Sequence, residues 1–311
     1  MGFDLDTLRS AVEQHGRVAR VVIADVKGSS PREIGASMLV WDGGQSGTIG
    51  GGALEFELSK RALGVQEKAL THHALGPELG QCCGGALQIV TEVFDAAHLP
   101  QADGDLVARS VIGAKGTPLK VQRILTDTRR KGILPRAQLC EGWFIEPTAR
   151  PTRPLWIWGA GHVGRAMVNT LAPLPEFAIT WIDTNAARFP ESSPDSVTKL
   201  PAANPALLAR HAPPNAEHLI VTYSHALDLE LCHQLLIHRF AFTGLIGSKS
   251  KWARFRTKLG TLGHSNEQIS RITCPIGDPS LGKHPQAIAI SVASRLLMNA
   301  KTHTQIQRTT A

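Results

Sequence analysis

The six residues Gly159-Ala160-Gly161-His162-Val163-Gly164 constrain this chain more than any other stretch. They follow LWIW (155–158), an apolar run suited to a parallel strand buried on both faces, and they open a helical pattern from about His162 to Leu171. Asp183 ends the next apolar run, FAITWID (177–183), 19 residues after Gly164. Strand, glycine turn, helix, strand and acid in that order are the fingerprint of a dinucleotide-binding βαβ unit. Gly159 then permits the tight turn, Gly161 lets a pyrophosphate approach the backbone, and Gly164 allows close helix–strand packing. The helix N-terminus at His162 supplies N–H donors, and Asp183 is placed to accept from a ribose hydroxyl. A fold can outlive its ligand, so the fingerprint speaks more firmly for a Rossmann-like fold than for NAD(P) or another nucleotide as its occupant.

The alternation continues through HLIVTYS (218–224) and FTGLIGS (242–248), both read as strands, with the helical pattern ALDLELCHQLLIH between them. Trp252, Phe255 and Leu259 line one face of a further helix, and Ala289, Val292, Ala293, Leu296 and Ala300 form the inner stripe of the last one. Regular alternation of this kind implies right-handed crossovers and a doubly wound parallel sheet. The first half is less regular. It reads as a helix near 5–15, strands at 17–26, 36–41 and 86–94, a hairpin turn in WDGGQSG (41–47) and a helix from about Ala53. Between the halves lies EPTARPTRP (146–154), whose three prolines suit an extended connection. The expected class is α/β: a smaller N-terminal α+β domain (1–145), a Pro-rich linker (146–154) and a C-terminal Rossmann-like domain (155–311).

Composition narrows the function classes. Hydrophobic content of 42% and charged content of 19% describe a globular chain, and no stretch has the roughly 18 uncharged apolar residues of a membrane span. MGFDLDTLRS carries no apolar signal segment, and five scattered cysteines argue for free thiols in a reducing cytoplasm. The formal charge of +7 points to an acidic ligand or partner, yet no zinc-finger spacing or aromatic stacking pattern supports nucleic acid.

Four segments carry candidate chemistry. Cys82 and Cys83 are adjacent in GQCCGGALQIV, flanked by Gly80, Gly84 and Gly85, which expose the backbone beside the sulfurs. Nearby amide dipoles favour thiolate, and soft thiolates suit a thiophilic metal or a persulfide. Cys140, Cys232 and Cys274 read instead as small buried hydrophobes. Gly50, Gly51 and Gly52 either expose successive N–H groups at a helix start, an anion nest for which Glu55 and Glu57 compete, or form a hairpin exit that needs positive φ at several residues. His225 and Asp228 stand one helical turn apart after a strand end, where ligands of doubly wound sheets bind; the plain alternative is a solvated His behind the N-cap Ser224. Ser248, Lys249 and Lys251 either meet a phosphate at another helix start or form a solvated cationic face.

Taken in order, GSSPREIGASMLV, GTIGGGALE and GQCCGGALQIVTEVF resemble the amino-terminal domain of the XdhC/CoxI family, accessory proteins of molybdenum hydroxylases. FIEPTARPTRPLWIWGAGHVGRAM, SHALDLEL, LIGSKSKWARF and CPIGDPSLGKHPQAIAISVASRLL resemble its carboxy-terminal Rossmann domain. The resemblance implies a chaperone rather than an enzyme. Such a protein binds molybdenum cofactor (molybdopterin), protects it during sulfuration, and assists its insertion into xanthine dehydrogenase. It also implies a homodimer working with a cysteine desulfurase. On this chain, Cys82 or Cys83 would hold the metal or shield its sulfido ligand, Gly50–Gly52 would take the pterin phosphate, and Gln81 would contact the pterin. Two rivals stand beside it. One is an NAD(P)-dependent oxidoreductase with a Cys82/Cys83 redox pair and His225 as acid/base, which lacks a Tyr-x-x-x-Lys pair. The other is a purely structural partner of a larger enzyme.

Overall fold

The computed structural model describes residues 2–76, 84–113 and 116–309. The chain divides into two compact units, Met1–Arg150 and Pro151–Ala311.

The first unit is built around β1 (Val18–Lys27), whose first seven residues are all buried. β1 lies between β2 (Ser37–Trp41) and β5 (Ala86–Phe94), antiparallel to both. With β3 (Gly44–Gly47) and β4 (Lys68–Ala74) they form a five-stranded sheet in the order β3-β2-β1-β5-β4. A strand apolar on both faces needs two covers. Ala19, Val21 and Ile23 meet Leu54, Leu58 and Ala62 of helix α2 (Gly52–Ala62). Val22 and Ala24 point the other way, against Phe144 of a second sheet. That sheet has three strands, β6 (Leu106–Ser110), β7 (Gln138–Cys140) and β8 (Trp143–Pro147), in the order β6-β8-β7. Val121 of α3 (Leu119–Lys131) packs on it, and α1 (Leu5–His15) sets Leu8 and Val12 against Val18 and Phe94.

Between the two sheets sits a buried charge network that sequence reading does not anticipate. Arg20 on β1 donates to both carboxylate oxygens of Glu146 on β8, at 2.9 and 2.8 Å. Arg109 on β6 donates to Glu146 at 2.8 Å and to Glu92 on β5 at 2.6 and 2.8 Å. The Phe3 ring lies 4.1 and 4.7 Å from the two guanidinium carbons. Burial by itself would raise the Glu146 carboxyl, but Arg20 and Arg109 outweigh it and hold the group below its ordinary range. β4, α3 and the three-stranded sheet are likewise additions to the sequence reading. No residue of β4 is fully buried, so the strand carries no apolar alternation to read.

The second unit holds six parallel strands: β9 (Arg153–Trp158), β10 (Phe177–Asp183), β11 (Thr198–Pro201), β12 (Glu217–Ile220), β13 (Phe242–Leu245) and β14 (Ile272–Thr273). Their order, β11-β10-β9-β12-β13-β14, is that of a doubly wound dinucleotide-binding sheet, and it reverses direction between β9 and β12. Alternate residues of LWIW serve opposite faces. Leu155 and Ile157 join a core with α4 (His162–Leu171) and α8 (Pro285–Thr309). Trp156 and Trp158 join another with α5 (His225–Ile237) and α6 (Lys249–Thr261), and the short α7 (Asn266–Ser270) adds Ile269 to it. The proline-rich stretch is shorter than its composition indicates: Glu146 and Pro147 end β8, Arg153 and Pro154 begin β9, and residues 148–152 lie between the strands.

Candidate functional site

In the first unit three glycine-rich segments meet: Gly28–Gly35 after β1, Gly47–Gly52 before α2, and Gly84–Gly85 before β5. A Cβ on Gly85 would fall 2.0 Å from the Ser29 carbonyl oxygen, and one on Gly50 would fall 2.7 Å from Pro31 Cγ. Backbone packs on backbone here, which glycine alone permits. Beside these segments opens a cavity of about 710 Å3, lined by Gly28, Ser30, Pro31, Arg32, Glu33 and Arg136 among others. Arg136 makes no ion pair among the described residues, while Arg32 lies 3.5 Å from Glu33. An open, partly cationic cavity with Gly28, Arg32 and Arg136 in its lining suits an anionic ligand. Gln81, Cys82 and Cys83 lie outside the described residues, and Gly84 is the first described residue after them.

The expected anion nest has an occupant from the chain itself. Gly50, Gly51 and Gly52 have φ of +133°, +74° and +78°. Glu55 folds back so that one carboxylate oxygen accepts from Ile49 N and Gly51 N, both at 2.9 Å, and from Thr48 Oγ1 at 2.6 Å. Burial opposes the charge on Glu55, but these bonds hold its carboxyl below the ordinary range. A phosphate at Gly50–Gly52 would have to displace that carboxylate.

In the second unit Gly159 and Gly164 are tightly hemmed in, and Gly161 is not. Gly159 has φ of +119°, and a Cβ there would lie 2.6 Å from the Val221 carbonyl oxygen. A Cβ on Gly164 would lie 1.9 Å from Gly159 O, whereas one on Gly161 would meet open space. Asp183 ends β10 at only 4% exposure. Its carboxylate accepts from Ala160 N and Thr184 N, both at 2.6 Å, and stands 3.4 Å from Arg188 Nε. It thus pins the glycine turn to the sheet rather than standing free for a sugar. The Arg188 guanidinium in turn lies 4.5 Å from the centre of the Tyr223 ring. Arg165 donates to the carbonyls of Ala160 and Arg188, both at 3.0 Å. None of Arg165, Arg188 and Tyr223 is evident as a site residue from sequence, though a basic residue shortly after the strand-end acid is a readable signal.

The other candidates separate. His162 and His225 are exposed at the starts of α4 and α5, and neither makes a side-chain hydrogen bond among the described residues. Asp228, one turn beyond His225, is fully buried and accepts from Thr222 Oγ1 at 2.7 Å and from Lys251 Nζ at 2.5 Å. Lys251 therefore ties α6 to α5 and is not part of a solvated face. Ser248 caps α6, accepting from Lys251 N at 3.1 Å, and Lys249 stays exposed beside it. Cys140 and Cys232 are buried and Cys274 half-buried. Burial pushes the Cys232 thiol well up and the Cys274 thiol up to about 11, so both stay protonated near neutrality. Among the described residues, no three His, Cys, Asp or Glu side chains are grouped to hold a metal ion, and no helix is long and apolar enough to cross a membrane.

Comparison with known proteins follows the same two-part division. Residues 155–296 match the family model described as XdhC Rossmann domain, and residues 11–73 match the one described as XdhC and CoxI family. A crystal structure from Bacillus halodurans, titled a xanthine dehydrogenase, superposes with a TM-score of 0.74 at 21% identity, covering 96% of each chain. At that identity the likeness speaks for the fold. Uncharacterized protein YqeB of Escherichia coli (strain K12) is 27% identical over 293 residues, 92% of this chain. The chain spans only 44% of that relative's length. A Rossmann-fold NAD(P)-binding family protein from Shigella flexneri reaches a TM-score of 0.28 at 14% identity, over 36% of this chain and 63% of its own, and carries no argument.

Proposed function

The chain belongs to the XdhC/CoxI family, and from that premise we propose that it is a maturation factor that carries molybdenum cofactor as cargo to xanthine dehydrogenase. In this reading the first unit receives the cofactor, keeps water from it during sulfuration, and releases it to the enzyme. The cofactor is both anionic and thiophilic, and a carrier needs something for each property. The observation that carries the reading is the meeting of three glycine-rich segments beside a cavity of about 710 Å3 that Arg32 and Arg136 line. Arginine suits a phosphate or the polar edge of a pterin, since its planar donors match both. Glycine backbone lets a flat ring approach closely.

Cys82 and Cys83 enter the proposal from sequence, as the soft ligands that would grip the metal or its sulfido group. Gln81 is the proposed pterin contact. Because Glu55 holds the Ile49 and Gly51 amides, we assign the phosphate to the Arg32–Arg136 side of the cavity rather than to Gly50–Gly52. A cysteine desulfurase as sulfur source, a homodimeric state and a cytoplasmic setting that keeps the thiols reduced complete the proposal.

Elemental analysis and mass spectrometry of the protein as isolated from a molybdate-supplied host test it. The expected result is molybdenum and pterin at roughly one per chain, lost in Cys82→Ala/Cys83→Ala and weakened by about tenfold in Arg136→Ala, as for a lost charge-assisted hydrogen bond. Full occupancy in the double cysteine variant would sink the thiol assignment. Wild-type protein free of pterin from such a host would sink the cargo role.

A further inference from the structure

The crevice at the strand-order reversal has two halves, and they differ. On the β10 side, where a dinucleotide would lay its first ribose, Asp183 is already bonded to Ala160 N and Thr184 N. Arg188, from the segment after β10, stacks on Tyr223, from the segment after β12. That stack spans the ground between the two strand ends. A bound ribose would have to displace the Arg188–Tyr223 stack and share the Asp183 carboxylate with Ala160 N and Thr184 N.

On the β13 side the sheet opens into a cavity of about 580 Å3, lined by Val163, Ile246, Lys249, Ile276, Lys283 and Ser291 among others. This volume falls within the roughly 300–1,000 Å3 typical of small-molecule sites. Its lining surface is mostly apolar, and it carries two lysines against one acid. Neither Lys249 nor Lys283 makes an ion pair among the described residues. Asp278, the one acid among the lining residues, spends a carboxylate oxygen on Ser280 N at 2.9 Å. Ser291 is only 6% exposed; its hydroxyl accepts from Asp278 N, and no acceptor for its own proton is present among the described residues. Lys249 is also the first residue of α6, a helix of 13 residues whose Ser248 cap takes the Lys251 amide and leaves the two amides before it without a cap bond.

We infer that this cavity binds a small phosphomonoester of nucleoside monophosphate size, and that the second unit does not hold an extended dinucleotide. The phosphate sits between Lys249, Lys283 and the first amides of α6, with the Ser291 hydroxyl as a further donor. The organic body lies against Val163, Ile276 and Ile288. The inference stands apart from the cargo role of the first unit, and the test keeps the two separate.

Isothermal titration calorimetry of the full chain with AMP, GMP, CMP, inorganic phosphate, NAD+ and NADP+ reads it directly. At least one nucleoside monophosphate is expected to bind more tightly than inorganic phosphate and than either dinucleotide. Lys249→Ala/Lys283→Ala should weaken that binding at least about tenfold, as for loss of charge-assisted bonds. Asp183→Asn and Cys82→Ala/Cys83→Ala should each leave it within about threefold, the scale expected for a group making no contact with the ligand. Four results overturn the inference: dinucleotide binding that Asp183→Asn abolishes, unchanged affinity in the double lysine variant, binding of inorganic phosphate alone, or no binding by any titrant.

Discussion

Gly161 and Gly164 are three residues apart in one turn, yet they answer to different constraints. Gly164 has no room for a methyl group, because a Cβ there would come within 1.9 Å of a backbone oxygen that cannot move aside. Gly161 faces open space with φ of −74°, a conformation any residue adopts. Gly164→Ala is therefore expected to destabilise the second unit by about 2–3 kcal/mol, at the upper end for overpacking, and Gly161→Ala by less than about 0.5 kcal/mol. Urea denaturation of the two variants measures the difference; equal effects would show that the turn relaxes around added volume. Gly159 and Gly164 are legible in the sequence because glycine there answers a local backbone or packing demand. The fate of Asp183 is not, because a carboxylate at a strand end looks the same in sequence whether it meets a sugar or Ala160 N. Glu55 repeats the lesson: its spacing from Gly51 is readable, its folding back onto the loop is not.

Strands β1, β5, β6 and β8 show how far periodicity reaches. β1 reads plainly as a buried strand, but Arg20 breaks the apolar pattern, and its partner Glu146, which it shares with Arg109, comes 126 residues later. Nothing local announces such a pairing. Once formed, it bridges the two sheets of the first unit through a carboxylate with no exposure at all. Glu146→Gln removes the charge that both guanidinium groups face and leaves them buried together. A loss of about 3–5 kcal/mol is expected, the range for breaking a buried ion pair from one side. Chemical denaturation checks it, and a loss under about 1 kcal/mol, the value of a surface pair, would refute the account. Lys251 and Asp228 make the same kind of tie between α6 and α5, 23 residues apart, which is why a segment that reads as a cationic face carries a buried bond.

Each unit has its own core, and that of the second contains a buried histidine that makes folding sensitive to acid. His218 on β12 has no exposure; Trp158 Nε1 donates to its Nδ1 at 3.2 Å, and its Nε2 has no partner among the described residues. Burial lowers its pKa from 6.5 to about 3. The unfolded chain takes up this proton below about 6.5 and the folded chain only near 3, so stability falls as pH drops through that window. The slope from this one group approaches roughly 1.4 kcal/mol per pH unit. Thermal melts from pH 6.5 to 4 should show it, and His218→Asn, which keeps an acceptor for Trp158, should flatten the curve. An unchanged slope in the variant would assign the acid sensitivity to other groups.

Alternating apolar runs and a glycine fingerprint were enough to foretell a parallel sheet in the second half of the chain. Those signals act between near neighbours, through backbone dihedrals and the two sides of a strand, so they survive in a linear string. Which charges find each other, which carboxylate closes its own loop and which half of the crevice stays open all depend on groups brought together from distant positions. Their energies arise from burial and contact, and neither exists until the chain has folded.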